Sequence, residues 1–339
     1  MPKGAALSFL ARVSMALLIV VYTFNANANS AQCESVAPGT VVKDVETTSV
    51  YMDRQSSVVD EARKKQNSID VAPIDRAALQ IAEMSNKYVT GDDCSGMRAL
   101  QLLSQWASRD GLSHPVGFQG QVTSMLYGMS FVSSFGQSAE LCRDADCDRT
   151  KRWLAMLADQ SLTYFSASGR KRNNLFYWSS AFAVFAGRYT GRNALYERGK
   201  AGIAEGFSHI DADGFPYENS RGKRALFYNA YAFTALTWGA AGVSRDWMLE
   251  QAEANPNVVI LQTRLDDYRA GKYDHSFYST SQEIVHFPYW KLPWQVAGAA
   301  STSEACKAMD NSLRHKVLGG STSLMLSKLW HLPQCATGN

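Results

Sequence analysis

Two short segments concentrate residues able to handle an anionic substrate. The first runs Arg170-Lys171-Arg172-Asn173-Asn174-Leu175-Phe176-Tyr177-Trp178: three cations, paired amides, then aromatics at the head of an apolar stretch. The second runs Arg221-Gly222-Lys223-Arg224-Ala225-Leu226-Phe227-Tyr228-Asn229-Ala230-Tyr231. A helix advances about 100° per residue, so Arg224, Tyr228 and Tyr231 share one face. Ala225, Leu226, Ala232, Phe233 and Leu236 make the other faces apolar. Guanidinium and amide donors quench a carboxylate and the charge that develops beside it, and a phenol can give or take a proton. Structural roles compete. Asn173 is a good helix cap, and Tyr228 and Tyr231 could be core residues with Arg224 at a solvated end. Capping accounts for one asparagine. It does not account for Asn174 heading inward beside Tyr177 and Trp178.

The elements that must position these groups read as helix after helix. Apolar residues recur at i, i+3, i+4 over Ile74–Val89, Ser95–Asp110, Gln119–Phe135, Asp148–Phe165, Asn174–Tyr189, Arg192–Phe207, Lys223–Ala241 and Arg245–Ala270. Glycine turns separate them, as at Asp110-Gly111, Ser168-Gly169 and Asp213-Gly214. The segment Glu34 to Pro73 reads as polar and irregular, and little sheet is expected. Consecutive Phe182-Ala183-Val184-Phe185-Ala186 implies a helix buried on several sides. Two layers of antiparallel helices, an α/α toroid, would bury it, and so would an irregular bundle.

The N-terminus has the build of a secretory signal peptide. Basic Lys3 and Arg12 precede apolar Val13 to Phe24, then Ala26-Asn27-Ala28. The run is short for a membrane span, which needs about 20 residues. Cleavage after Ala28 leaves roughly 310 residues, read as a single domain over 29–339. The expected compartment is the periplasm. Cys33, Cys94, Cys142, Cys147, Cys306 and Cys335 are an even set suited to disulfides there, and six cysteines allow 15 pairings. Cys142 with Cys147 could staple a polar loop. Cys33 with Cys94, and Cys306 with Cys335, could tie down the ends. A zinc site lacks a second close ligand pair. A net charge of +3 gives no bulk signal for nucleic acid.

The two segments resemble the signature blocks of the alginate lyases of polysaccharide lyase family 5, which read Asn-Asn-His-x-Tyr-Trp and Arg-Ala-Leu-x-Tyr-x-x-Tyr. Further similarity runs through Ser49-Val50-Tyr51, Trp106-Ala107-Ser108-Arg109-Asp110-Gly111, Asp211-Ala212-Asp213-Gly214-Phe215, Pro288-Tyr289 and Leu318-Gly319-Gly320. The resemblance implies an all-α fold, an incomplete α/α toroid with a deep groove. It implies β-elimination on a D-uronate polymer such as mannuronan or a glucuronan, without a cofactor or metal. By position, Asn174 and Arg224 would neutralise the uronate carboxylate and Tyr231 would be the acid and base, its phenolate favoured by the nearby positive charge. Tyr51, Arg172, Tyr177, Trp178, Arg221, Tyr228 and Tyr289 would contact the substrate. The partner is thus an anionic polysaccharide, with no nucleic acid or membrane, and the protein is expected to act as a monomer.

The chain departs from the family where Leu175 replaces its site histidine. Tyr231 then works alone, or another group such as His209 or His275 reaches the site, or the protein binds polyuronate without cutting it. The histidines (His114, His209, His275, His286, His315, His331) show no metal spacing. Asp211-Ala212-Asp213-Gly214 lacks the remaining ligands of a calcium loop and reads as a turn. Asp211, Asp213 and Glu218 are the tight acidic cluster that a glycoside hydrolase on this scaffold would use.

Overall fold

The computed structural model describes residues 33–272, 280–310, 313–332 and 335. Segment 1–28, expected to be a signal peptide, and His275 lie outside them. Strand β1 (Asp44–Glu46) pairs in parallel with β2 (His114–Val116), aligning Val45 with Pro115. The helices are α1 (Glu61–Asp70), α2 (Ala72–Val89), α3 (Asp93–Ser108), α4 (Gly117–Ser138), α5 (Ala145–Ser166), α6 (Asn174–Thr190) and α7 (Asn193–Ser208). They continue with α8 (Pro216–Asn219), α9 (Ala225–Val243), α10 (Arg245–Ala254), α11 (Asn257–Arg269), α12 (Lys291–Ala297), α13 (Thr302–Asp310) and α14 (Thr322–Trp330). Strands β3 (Arg314–His315) and β4 (Gly320–Ser321) form a small antiparallel hairpin between the last two helices.

Burial sorts the helices into two layers. In α6 the run Phe176–Gly187 is buried throughout, and α9 is buried from Ala230 to Gly242 except at Tyr231. Helices apolar on every side need neighbours on every side. Helix α4 packs on α2 and α6, and α6 packs on α9, which makes an inner layer. Outside it α3 packs on α5, α5 on α7, and α7 on α10. Each outer helix pairs with the inner helix joined to it by a short turn, so neighbours run antiparallel. Helix α14 touches α9, α2 and α4. The fold is an incomplete α/α toroid.

Three boundaries differ from the periodicity. The expected helix over Arg245–Ala270 is two helices, because Asn255-Pro256 interrupts it: proline donates no N–H and disfavours helical backbone in the residue before it. The segment expected to be irregular contains α1, capped by Asp60, which buries no residue and so leaves no apolar stripe to read. Arg224 ends a 3-10 turn (Gly222–Arg224) and precedes α9 instead of lying within it.

The β3–β4 hairpin depends on its glycines. Gly319 and Gly320 have φ of 71° and 96°. A Cβ on Gly320 would lie 2.4 Å from Nδ2 of Asn86, and one on Gly319 would lie 3.0 Å from Cβ of Ser133. Only glycine allows both the backbone turn and this close approach to α2 and α4. The hairpin register sets His315 opposite Gly320. Disulfides Cys142–Cys147 and Cys306–Cys335 are present, and no described cysteine is free. No helix among the described residues is long and apolar enough to cross a membrane.

Candidate active site

Helix α6 opens with the two asparagines in different roles. Asn173 is the cap, its Oδ1 accepting from the N–H of Leu175 at 3.1 Å. Asn174 is buried, 2 % exposed. Its backbone N–H and its Nδ2 both donate to Oε1 of Glu218, at 2.8 and 2.9 Å. Glu218 sits on α8 with no exposed surface, and its Oε2 accepts from Nε of Arg221 at 3.1 Å. Burial pushes the Glu218 carboxyl upward, against the pull of Arg221 and Asn174. Asn229 of α9 holds the loop above, accepting from the N–H of Phe215 at 2.8 Å and donating to Oδ1 of Asn219 at 2.8 Å. Thus α6, α8 and α9 meet through a buried polar knot whose centre is a carboxylate.

Arg224 stands at the mouth of α9. Its Nη1 donates to the Tyr51 hydroxyl at 2.6 Å. Its guanidinium carbon is 4.4 Å from the Phe227 ring centroid and 5.7 Å from that of Tyr228. Its Nε is buried, has no hydrogen-bond partner among the described residues, and lies 3.8 Å from Oε2 of Glu283. A half-buried guanidinium with a buried, unfilled donor is suited to an anionic oxygen. Tyr51 belongs to a loop that Arg221 also holds, its Nη1 donating to Ser56 Oγ at 3.1 Å. The Asp53 carboxylate closes that loop on itself, accepting from the N–H groups of Ser57 and Val58 at 2.9 and 2.8 Å.

Tyr231 is half-buried, one face of its ring against Trp178 (centroids 5.3 Å apart) and the others against Phe227 and Phe287 (5.9 and 5.4 Å). Among the described residues no hydrogen bond occupies its hydroxyl. Burial pushes that hydroxyl well above the ordinary phenol value, and Tyr51 adds in the same direction. The expectation that nearby positive charge favours phenolate is therefore not met: burial and Tyr51 set the direction. Burial likewise lifts the Tyr228 hydroxyl, with Tyr51 adding to it. Tyr231 stands as a protonated acid through the neutral range.

The remaining expected contacts divide. Tyr177 is 1 % and Trp178 0 % exposed. Tyr177 bonds through its hydroxyl to His209 Nδ1 at 3.1 Å and the Arg172 carbonyl at 3.3 Å, and Phe215 packs on its ring. Both rings are core, because α6 is an inner helix with neighbours on every side. This also places His209 beside Tyr177 and not beside Tyr231. Arg221 is 8 % exposed and committed to Glu218 and Ser56, so it braces the site and does not face a ligand freely. Arg172 pairs with Glu205 at 2.9 Å and lies over Phe176. Arg170 and Lys171 are exposed, held over Tyr164 (4.0 Å) and Tyr217 (4.4 Å). Tyr289 is half-buried, its ring 4.3 Å from His315. Leu175 is half-buried and packs on the core. Asp211 and Gly214 pair as an isolated bridge with Asp213 N–H donating to Asp211 Oδ1, which is a turn. Sequence reasoning valued Glu218 only as one of an acidic cluster; its spacing from Arg221, i to i+3, was the signal for the pair.

Comparison with known proteins bears on the family and the fold. A family model described as alginate lyase matches residues 43–258. A polysaccharide lyase of Stenotrophomonas maltophilia is 31% identical over 232 residues, covering 65% of this chain and 68% of the relative. An alginate lyase of Pseudomonas putida is 26% identical over 211 residues, of which the match spans 56% of the relative's length. Among solved structures, an alginate lyase A1-III variant complexed with a tetrasaccharide superposes with a TM-score of 0.67 at 17% identity, covering 89% of this chain and 87% of that one. At that identity the superposition speaks for the fold, and the family match speaks for the chain: it belongs to the alginate lyase family of polysaccharide lyases.

Proposed function

We propose that this protein is exported to the periplasm and cleaves a β-linked D-uronate polymer, mannuronan-like or glucuronan-like, by syn β-elimination. The observation that carries the reading is a half-buried guanidinium whose buried Nε has no hydrogen-bond partner among the described residues, Arg224, on the same helix end as a protonated phenol that makes no hydrogen bond among them, Tyr231. Arg224 and the amide of Asn174 would quench the uronate carboxylate. That acidifies the C5 proton by stabilising the enolate that forms when it leaves. The bond from C4 to O4 then breaks, and O4 takes the Tyr231 proton. In D-mannuronate and D-glucuronate the C5 hydrogen and O4 lie on one side of the ring, so acid and base acting from the Tyr231 wall give syn elimination. The disulfides support export to an oxidising compartment. Exposed Arg170, Lys171 and Lys223 would attract the polyanion.

Incubation of the mature protein with polymannuronate, polyglucuronate and mixed uronans should generate ultraviolet absorbance from the new C4–C5 double bond. New reducing ends without absorbance would mean hydrolysis, and polymer binding with neither signal would mean a binding protein. Tyr51→Phe is expected to leave kcat and Tm nearly unchanged while KM rises roughly 5-fold, since it removes one hydrogen bond to a charged, partly exposed partner. Steady-state kinetics check this. A kcat loss larger than the KM change would place Tyr51 in the chemical step.

A further inference from the structure

Leu175 cannot carry a proton and Tyr231 is held as a phenol, so the chain still needs a group to accept the C5 proton. One histidine lies against the same wall as Tyr231. The His315 ring is 5.5 Å from Phe287, edge to face, and 6.3 Å from Trp178, stacked at 11°. Phe287 and Trp178 are also the rings that flank Tyr231. Tyr289 packs on the imidazole at 4.3 Å and donates its hydroxyl to the Arg314 carbonyl at 3.2 Å. His315 is half-buried, and among the described residues its buried Nδ1 has no hydrogen-bond partner. The strand bearing it is fixed by the Gly319-Gly320 turn against α2 and α4.

We propose that His315 is the catalytic base of this lyase, taking from β3 the place that Leu175 leaves unfilled on α6. The inference rests on the lyase reading above and divides between two residues the work otherwise given to Tyr231 alone. Nε2 takes the proton from C5, and the C5–H electron pair becomes the C4–C5 double bond. The C4–O4 bond breaks with its pair going to O4, which takes the Tyr231 hydroxyl proton. The imidazolium then returns its proton to the Tyr231 phenolate through solvent.

In the free protein burial lowers the His315 pKa to about 4, with Lys316 acting in the same direction. The ring is thus neutral and able to accept a proton across the physiological range. The charged and titratable groups around it are Arg314 and Lys316 in sequence, Tyr289 and Tyr231 across the wall, and Asp75, which accepts from Lys316 at 2.7 Å and from Tyr127 at 2.7 Å. A uronate carboxylate bound nearby raises the pKa and strengthens the base as the substrate arrives.

The test compares wild type, His315→Gln and His315→Ala on whichever uronate polymer the wild type cleaves, following absorbance against pH. Glutamine keeps a polar side chain and cannot accept the proton. The expected result is a kcat lower by roughly 100- to 10,000-fold with KM within about threefold, loss of the acidic limb of the kcat profile, and partial recovery of His315→Ala by added imidazole. His315→Gln activity within about threefold of wild type, with the acidic limb intact and the melting profile unchanged, overturns the proposal while leaving the lyase reading standing. No unsaturated product from wild type on any uronan overturns both.

Discussion

Tyr231→Phe is expected to cut formation of unsaturated product by roughly 100- to 10,000-fold while leaving the fold and polymer binding intact. The ring is held by Trp178, Phe227 and Phe287, contacts that phenylalanine preserves. The hydroxyl that disappears has no hydrogen bond among the described residues, so little stability goes with it. The sign of the pH dependence follows from the direction of its shift. The acid must be protonated to serve O4, and burial raises its pKa, so the alkaline limb of wild-type kcat lies above the ordinary phenol range. Rates on a polyuronate measured alongside thermal melting test both statements. Residual kcat within tenfold of wild type at an unchanged Tm would remove Tyr231 from the reaction.

Glu218→Ala is expected to be the most damaging single change in the polar knot. Its carboxylate accepts from the backbone and side chain of Asn174 and from Arg221, with none of its surface exposed. Truncation leaves the Arg221 guanidinium and two amide donors buried without their partner. Removing one member of a buried pair costs about 3–5 kcal/mol. Activity should fall as well, because Asn174 loses the bonds that orient its amide and the Ser56–Arg221 tie loosens. Urea denaturation of Glu218→Ala against wild type reads the stability change. A loss under about 1 kcal/mol would mean the knot relaxes to admit water. Glu218→Gln should fall between the two, since the amide retains one acceptor and introduces a donor facing Arg221.

Much of this was legible in the chain. The helical period gave the inner helices because Phe182 to Ala186 has no polar face to expose. The split between Asn173 as cap and Asn174 as an inward group followed from there being a single cap position. Family spacing brought Arg224 and Tyr231 forward together. What was hidden depends on distance in sequence. Glu218 reaches Asn174 across 44 residues, and Tyr51 reaches Arg224 across 173. No local period encodes such pairs. His315 was one of six histidines without spacing; its importance comes from Phe287 and Trp178, which only folding places around it. The family resemblance assigns Tyr177 and Trp178 sugar contacts; their burial follows from α6 being an inner helix, which composition alone left open.

One guanidinium does two jobs, and the two are thermodynamically linked. Arg224 clasps Tyr51, and with it the 50–60 loop, and in the proposed reaction it also receives the uronate carboxylate. If a carboxylate draws Arg224 away from Tyr51, polymer entry loosens the loop and product departure lets it re-form. If Arg224 holds both at once through its unfilled Nε, each strengthens the other. Loop opening and ligand affinity must then change by the same factor, in whichever direction, so a long polyanion feeding through the groove would carry its own gate signal along the chain.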